Sequence, residues 1–284
     1  MNENVRRWCS AAPALLASQL ALAQFGTEPA PLELIELRDD MYVISNPAVP
    51  GLVTALITDE GVLLVDDKFE IDHDNIMAML RTVTDQPVVY VINTHHHADH
   101  SGGNAKLQAL DAIAVASDEA RARMVALNQP GLPDMTVSDR ATIYIGGKTV
   151  ELHKVGRAHT DGDLVVLFPD HGVLATGDIF ANGEGTSAQL VDYAGGGSAK
   201  EWPKAIEAAL ELDFETVVPG HGLVSTRADL EAYLERAKRF SETLSELVSQ
   251  GKSREDVEAV VRSEFDWEDF HVQMSLDGLI DEFR

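Results

Sequence analysis

Thiols are nearly absent from this chain: Cys9 is the only cysteine in 284 residues. One cysteine closes no intrachain disulfide, and it cannot assemble a cysteine-based metal cluster. Cationic side chains are scarce as well, 22 Lys and Arg against 47 Asp and Glu, for a formal net charge of −25. So acidic a chain repels phosphate backbones at long range, which argues against nucleic acid as substrate or partner. Beyond the N-terminus no apolar run approaches the ~20 residues needed to span a bilayer, and no internal repeat marks a solenoid or array. What remains is ordinary globular material, 45% hydrophobic and 24% charged. It is long enough to bury one sizeable core without demanding a second domain.

The N-terminus reads as an export signal. Arg6-Arg7 supplies a short positive region, Ala11 to Ala23 is largely apolar, and Ala21-Leu22-Ala23 is an A-x-A cleavage site before Gln24. Removal of residues 1–23 would leave a single domain, 24–284, in the periplasm or the medium. That mature chain would contain no cysteine, because Cys9 lies in the cleaved segment. The competing reading is a frayed amphipathic helix at the start of a cytoplasmic protein.

Chemistry concentrates in His95-His96-His97-Ala98-Asp99-His100, which packs metal-binding side chains into the pattern H-x-H-x-D-H. The apolar run Val88–Ile92 before it reads as a buried strand, so the cluster sits at a strand's end. In extended chain His95 and His97 share a face and can grip one ion, while His96 points the other way. Asp99 and His100 then fall in the turn that Ser101-Gly102-Gly103 permits. The other histidines without a motif around them, His73, His153, His171 and His271, are read with His96 as surface or packing residues. Further along, His159 lies in Gly156-Arg157-Ala158-His159-Thr160, Asp178 in Thr176-Gly177-Asp178, and His221 in Pro219-Gly220-His221-Gly222. Each is a lone His or Asp following a predicted strand and flanked by glycine. Imidazole and carboxylate ligands suit zinc best, with iron and manganese tolerated.

The order H-x-H-x-D-H, G-x-x-H-T, T-G-D and P-G-H-G resembles the metallo-β-lactamase superfamily, and does so over most of the chain from Leu34 to His221. The resemblance implies that His95, His97 and His159 hold one metal. It further implies that Asp99, His100 and His221 hold a second and that Asp178 bridges the two. Asp66 matches the family's buried aspartate supporting the site from behind, a role its neighbour Asp67 could share. Two zinc ions per chain would generate a hydroxide nucleophile at neutral pH, with Asp99 and Asp178 as the catalytic carboxylates. The implied reaction is hydrolysis of an ester-like or amide-like carboxyl bond in a small molecule: a thioester, a lactone or a β-lactam. Members that open β-lactams usually have a cysteine, or no protein bridge, where Asp178 stands, so the bridge resembles the branch acting on thioesters, lactones and phosphodiesters. No basic residues match those expected for glutathione binding. The alternative within the same fold is a mononuclear iron enzyme that oxidises sulfur compounds. Arg157, Asn182 and Tyr193, close in sequence to the ligands, are the candidate substrate contacts.

Strands are predicted at Leu34–Leu37, Met41–Ser45, Leu52–Thr58 and Gly61–Asp66, then an amphipathic helix over Ile71–Val83. After the histidine-bearing strand come helices at 104–110 and 118–127 around a strand at 113–116. A second strand series from Thr142 to Asp178 precedes a helix at 198–212. Two β-then-α halves with strand ends converging on one site suggest an α/β fold of the αββα sandwich type, the architecture the resemblance also implies. Residues 128–135 are a loop, either a connector or a lid. In the helical tail, Leu230, Tyr233, Leu234, Ala237, Phe240, Leu244 and Leu247 form an apolar stripe. This stripe either packs on the sandwich or forms a homodimer surface.

Overall fold

A computed structural model describes residue 29 and residues 31–46, 51–183 and 188–284. The expected export signal at 1–23, its Cys9 and the start of the mature chain lie outside the described residues. Two sheets form the centre. The first runs in chain order, β1 (Glu33–Arg38), β2 (Met41–Ser45), β3 (Val53–Thr58), β4 (Gly61–Val65), β5 (Val88–Ile92), β6 (Ile113–Ser117) and β7 (Met135–Val137). Its first four strands are an antiparallel meander, and β5, β6 and β7 each add in parallel. The second sheet is ordered β13 (Ser225–Thr226), β12 (Thr216–Gly222), β11 (Val173–Asn182), β10 (Leu164–Phe168), β9 (Lys148–Lys154) and β8 (Arg140–Ile145).

The central strands are apolar without alternation because both of their faces are covered. In β4, Leu63 and Val65 meet the opposite sheet, while Val62 and Leu64 pack beneath helix α1 (His73–Leu80) through Ile76 and Leu80. β10 does the same from the other side. Val166 and Phe168 enter the space between the sheets, and Val165 and Leu167 turn outward to the helices. Short helices α2 (Ala98–Ser101) and α3 (Asn104–Gln108) follow β5, and α4 (Asp118–Ala126) follows β6, capped by the Ser117 hydroxyl. Over the second sheet lie α5 (Trp202–Leu210), α6 (Arg227–Ser249), α7 (Arg254–Phe265) and α8 (Asp269–Phe283). Helix, sheet, sheet and helix make the expected αββα sandwich.

The apolar stripe of α6 is buried in its own chain. Leu230, Tyr233, Ala237, Phe240 and Leu244 pack with Trp202, Ile206, Phe214 and Val217, so this stripe is not a homodimer surface. Trp267 and Leu276 anchor the tail in the same core. The 128–135 loop is a pinned connector: the Asn104 amide donates to Gly131, Gln108 to Leu132, and Gln129 to the His96 carbonyl. Helix α1 is shorter than expected at both ends: a 3-10 turn at Glu70–Asp72 replaces its first residues, and residues 81–83 form a turn after Leu80.

Candidate metal centre

Every residue singled out by the motifs stands at one edge of the sandwich, where strands of both sheets end or bulge. β5 stops at Ile92, the chain bends through residues 94–96, and His97 takes an extended conformation just before α2. The straight strand register expected for 95–97 is therefore absent. The bend still brings the His95 and His97 rings to 4.7 Å between centroids. It does not carry His96 to the surface: that ring is buried, 4.6 Å from the His97 ring, with Nε2 3.7 Å from Asp192.

Asp178 and His221 do not follow strands, as expected, but lie inside them. β11 and β12 pair in parallel with register shifts on either side of Gly177, and the bulge turns Asp178 into the site. Gly177 makes that possible. Its φ is +54°, and a Cβ there would sit 2.5 Å from the Thr94 Cβ. Gly177→Ala is thus expected to lose about 1–2 kcal/mol from the left-handed backbone alone, and more from displacing Thr94. A denaturation midpoint and turnover both equal to the parent's would show that the close approach is not required.

Two groups of side chains face one another. His95, His97, His159 and Asp178 converge in one, and Asp99, His100 and His221 in the other, with ligand atoms in each within 4.8 Å of one another. Asp178 faces both. Its Oδ2 lies 3.5 Å from His159 Nε2, 3.9 Å from His95 Nε2 and 3.1 Å from His221 Nε2, and its Oδ1 lies 3.2 Å from His100 Nε2. Asp99 Oδ2 is 3.5 Å from both His100 and His221 Nε2.

The outward nitrogen of each ring is held from behind. Asp66 Oδ2 meets His100 Nδ1 at 2.8 Å, the Leu190 carbonyl meets His159 Nδ1 at 2.6 Å, and Asp192 meets His97 Nε2 at 2.9 Å. Thr94 Oγ1 lies 3.1 Å from His95 Nδ1, and the Gly51 amide donates to His221 Nδ1. Asp66 also accepts the Thr94 amide and hydroxyl, while Asp67 accepts the Gly103 amide instead. The structure thereby separates the two aspartates: Asp66 backs His100, and Asp67 fixes the glycine turn.

Electrostatics follow from this crowding. Burial favours a neutral His100 ring, but Asp178, Asp99 and Asp66 outweigh it and hold its pKa well above the ordinary imidazole value. Burial, reinforced by His100, pushes His95 well below that value, and burial takes His159 down to about 4. Asp178 is buried too, yet His221 and His100 keep it well below the carboxylate range. The arrangement suits a bound cation. His95 Nε2 is buried with no hydrogen-bond partner, and His97 Nδ1 and His159 Nε2 converge to 2.9 Å. Inward lone pairs on the neutral His95 and His159 rings, the ionised Asp99 and Asp178 carboxylates and fixed outer nitrogens are what a divalent metal needs.

The three candidate substrate contacts are engaged elsewhere. Arg157 pairs with Glu201 at 3.1 Å, the Asn182 amide donates to Ser225 Oγ, and the Tyr193 hydroxyl donates to Glu282. Asp192 was missed. Its signal is the run Asp192-Tyr193-Ala194-Gly195-Gly196-Gly197, in which Gly195 N–H donates back to the Asp192 carboxylate. Asp163 was missed as well: buried, it accepts the Thr160 amide and hydroxyl and so fixes the turn that carries His159.

The family model described as the metallo-beta-lactamase superfamily matches residues 47–221, and the chain belongs to that superfamily. It is 28% identical over 191 residues to a type 2 metallo-beta-lactamase of Bacillus cereus, covering 66% of this chain and 73% of that one. It is 37% identical over 121 residues to a hydroxyacylglutathione hydrolase of Crocosphaera subtropica, covering 38% of this chain and 44% of that one. Among solved structures, a metallo-beta-lactamase from Pontibacter korlensis shares the fold with a TM-score of 0.65 at 24% identity, over 73% of this chain and 99% of that one. The chain is a metal-dependent hydrolase of this superfamily.

Proposed function

We propose that the enzyme is a binuclear zinc hydrolase that cleaves an ester-like or amide-like carboxyl bond of a small molecule: a thioester, a lactone or a β-lactam. The observation that carries this reading is the Asp178 carboxylate set between two histidine groups, with Oδ1 3.2 Å from His100 on one side and Oδ2 3.5 Å from His159 on the other. His95, His97 and His159 would hold one ion, Asp99, His100 and His221 the other, and Asp178 both. Two such ions would lower the pKa of a shared water towards neutrality and polarise the scissile carbonyl.

The chain's own residues do the rest. Asp66, Asp192 and the Leu190 carbonyl fix the tautomer and orientation of His100, His97 and His159. Asp99, ionised among His100 and His221, orients the attacking water. The relatives support the reaction class: one is named for β-lactam chemistry and another for hydroxyacylglutathione.

The test combines metal content with turnover. Metal-free protein titrated with zinc should take up two equivalents. It should then hydrolyse at least one of a chromogenic cephalosporin, an aryl lactone and an acyl thioester, and Asp99→Ala should lose that turnover. One iron per chain, with none of the three cleaved, would instead support the sulfur-oxidising alternative.

A further inference from the structure

The last helix lies outside the span matched by the family model, which ends at His221. It nevertheless reaches the back of the metal centre. The segment from Leu190 to Gly197 carries the Leu190 carbonyl that meets His159 Nδ1 and the Asp192 carboxylate that meets His97 Nε2. This segment is tied to the His159 turn by backbone bonds, Asp192 N–H to His159 C=O and Ser198 N–H to Ala158 C=O, both at 2.9 Å.

Helix α8 grips the segment at three heights. Near its middle the buried Ser275 hydroxyl donates to the Val191 carbonyl at 2.7 Å. One turn on, Gly278 lies flat against Tyr193: a Cβ there would come within 2.5 Å of the ring. At its end Glu282 collects three donors, Ser198 Oγ at 2.5 Å on Oε1, and Tyr193 Oη at 2.7 Å and the Ala199 amide at 3.0 Å on Oε2. Lys200 closes the clasp on the Glu282 carbonyl.

We propose that Glu282 is a positioning residue for the His97 and His159 half of the metal centre, acting through Tyr193, Ser198 and Ala199 on the segment that carries Leu190 and Asp192. The proposal rests on the binuclear reading above. It makes a specific claim about asymmetry. The Asp99, His100 and His221 half is backed by Asp66 and Gly51, neither of which belongs to this segment. Loss of the clasp should therefore loosen one metal and spare the other.

The experiment is stepwise zinc removal with a graded chelator from the full-length protein, compared among wild type, Glu282→Ala, Glu282→Gln, Ser275→Ala and Asp277→Ala. Outer partners of metal ligands typically govern about 10–100-fold in affinity. One of two zinc equivalents in Glu282→Ala should therefore leave at about 10-fold lower chelator or less, with the second unchanged. Glutamine, which keeps an acceptor for part of the donor set, should restore most of the loss. Ser275→Ala breaks the grip at a separate point and should loosen the same equivalent. Asp277 is exposed on the same helix and pairs with Arg254, so its alanine variant should match the wild type.

Equal loosening of both equivalents, or unchanged affinity in a Glu282→Ala protein that is folded, overturns the proposal. If wild type takes up no metal, it is the binuclear reading that has failed. The clasp is then decided by amide hydrogen exchange over 188–200, which Glu282→Ala must raise and Asp277→Ala must not.

Discussion

Asp178→Ala is expected to cut turnover by at least about 10²-fold, beyond the 10–100-fold typical of losing a metal's outer partner, and to lower the zinc held per chain. The reason is geometric. No other carboxylate among the described residues faces both histidine groups: Asp99 contacts only His100 and His221, and Asp192 only His96 and His97. Asp178 also carries negative charge in among the imidazoles of His95, His97, His159, His100 and His221. Without it only Asp99, which reaches just His100 and His221, would remain between the rings to offset cation–cation repulsion. The variant should fold, since Asp178 is a site residue and not part of the apolar core. Metal analysis beside initial rates separates the outcomes. Normal zinc content with normal turnover would remove Asp178 from its bridging place.

Asp66→Ala is expected to be the most damaging change outside the proposed ligands. Asp66 is 2% exposed, sits at φ +62°, and accepts from the Thr94 amide and hydroxyl as well as pairing with His100. Alanine would leave those donors buried without an acceptor and the His100 ring without its outer partner. Breaking a buried pair from one side costs about 3–5 kcal/mol, which is a large part of a typical domain's stability. Chemical denaturation of the metal-free protein isolates this cost from metal binding. A midpoint within error of wild type, together with unchanged zinc affinity, would show that Thr94 and His100 find other partners.

Legibility in the sequence differs from residue to residue. The apolar run Val88–Ile92 was legible as a buried strand, and the two β-then-α halves of the chain as a sandwich. His95 to His100 were legible because ligand side chains crowded into so short a stretch make little sense except around a metal. Asp178 and His221 were found, but their setting was not, because a register shift between paired strands leaves no mark in either strand alone. Asp192 was illegible for a different reason. It meets His97 across 95 positions of sequence, and only the folded path of the 188–200 loop brings them together. The tail's stripe was legible as apolar, whereas its partner, the outer face of the second sheet, is a tertiary fact.

Each of the two histidine groups draws on both halves of the molecule. His95, His97, Asp99 and His100 follow a strand of the first sheet, and His159, Asp178 and His221 belong to the second. Ions held between them would work as rivets through the seam of the sandwich. Mass action then ties the protein's durability to its surroundings: free metal at 100 times its dissociation constant adds about 2.7 kcal/mol per site. Protein short of metal should open at this seam more readily than metal-loaded protein, a difference that limited proteolysis would read. The ambient supply of the cation would then set how long each molecule survives as well as how fast it works.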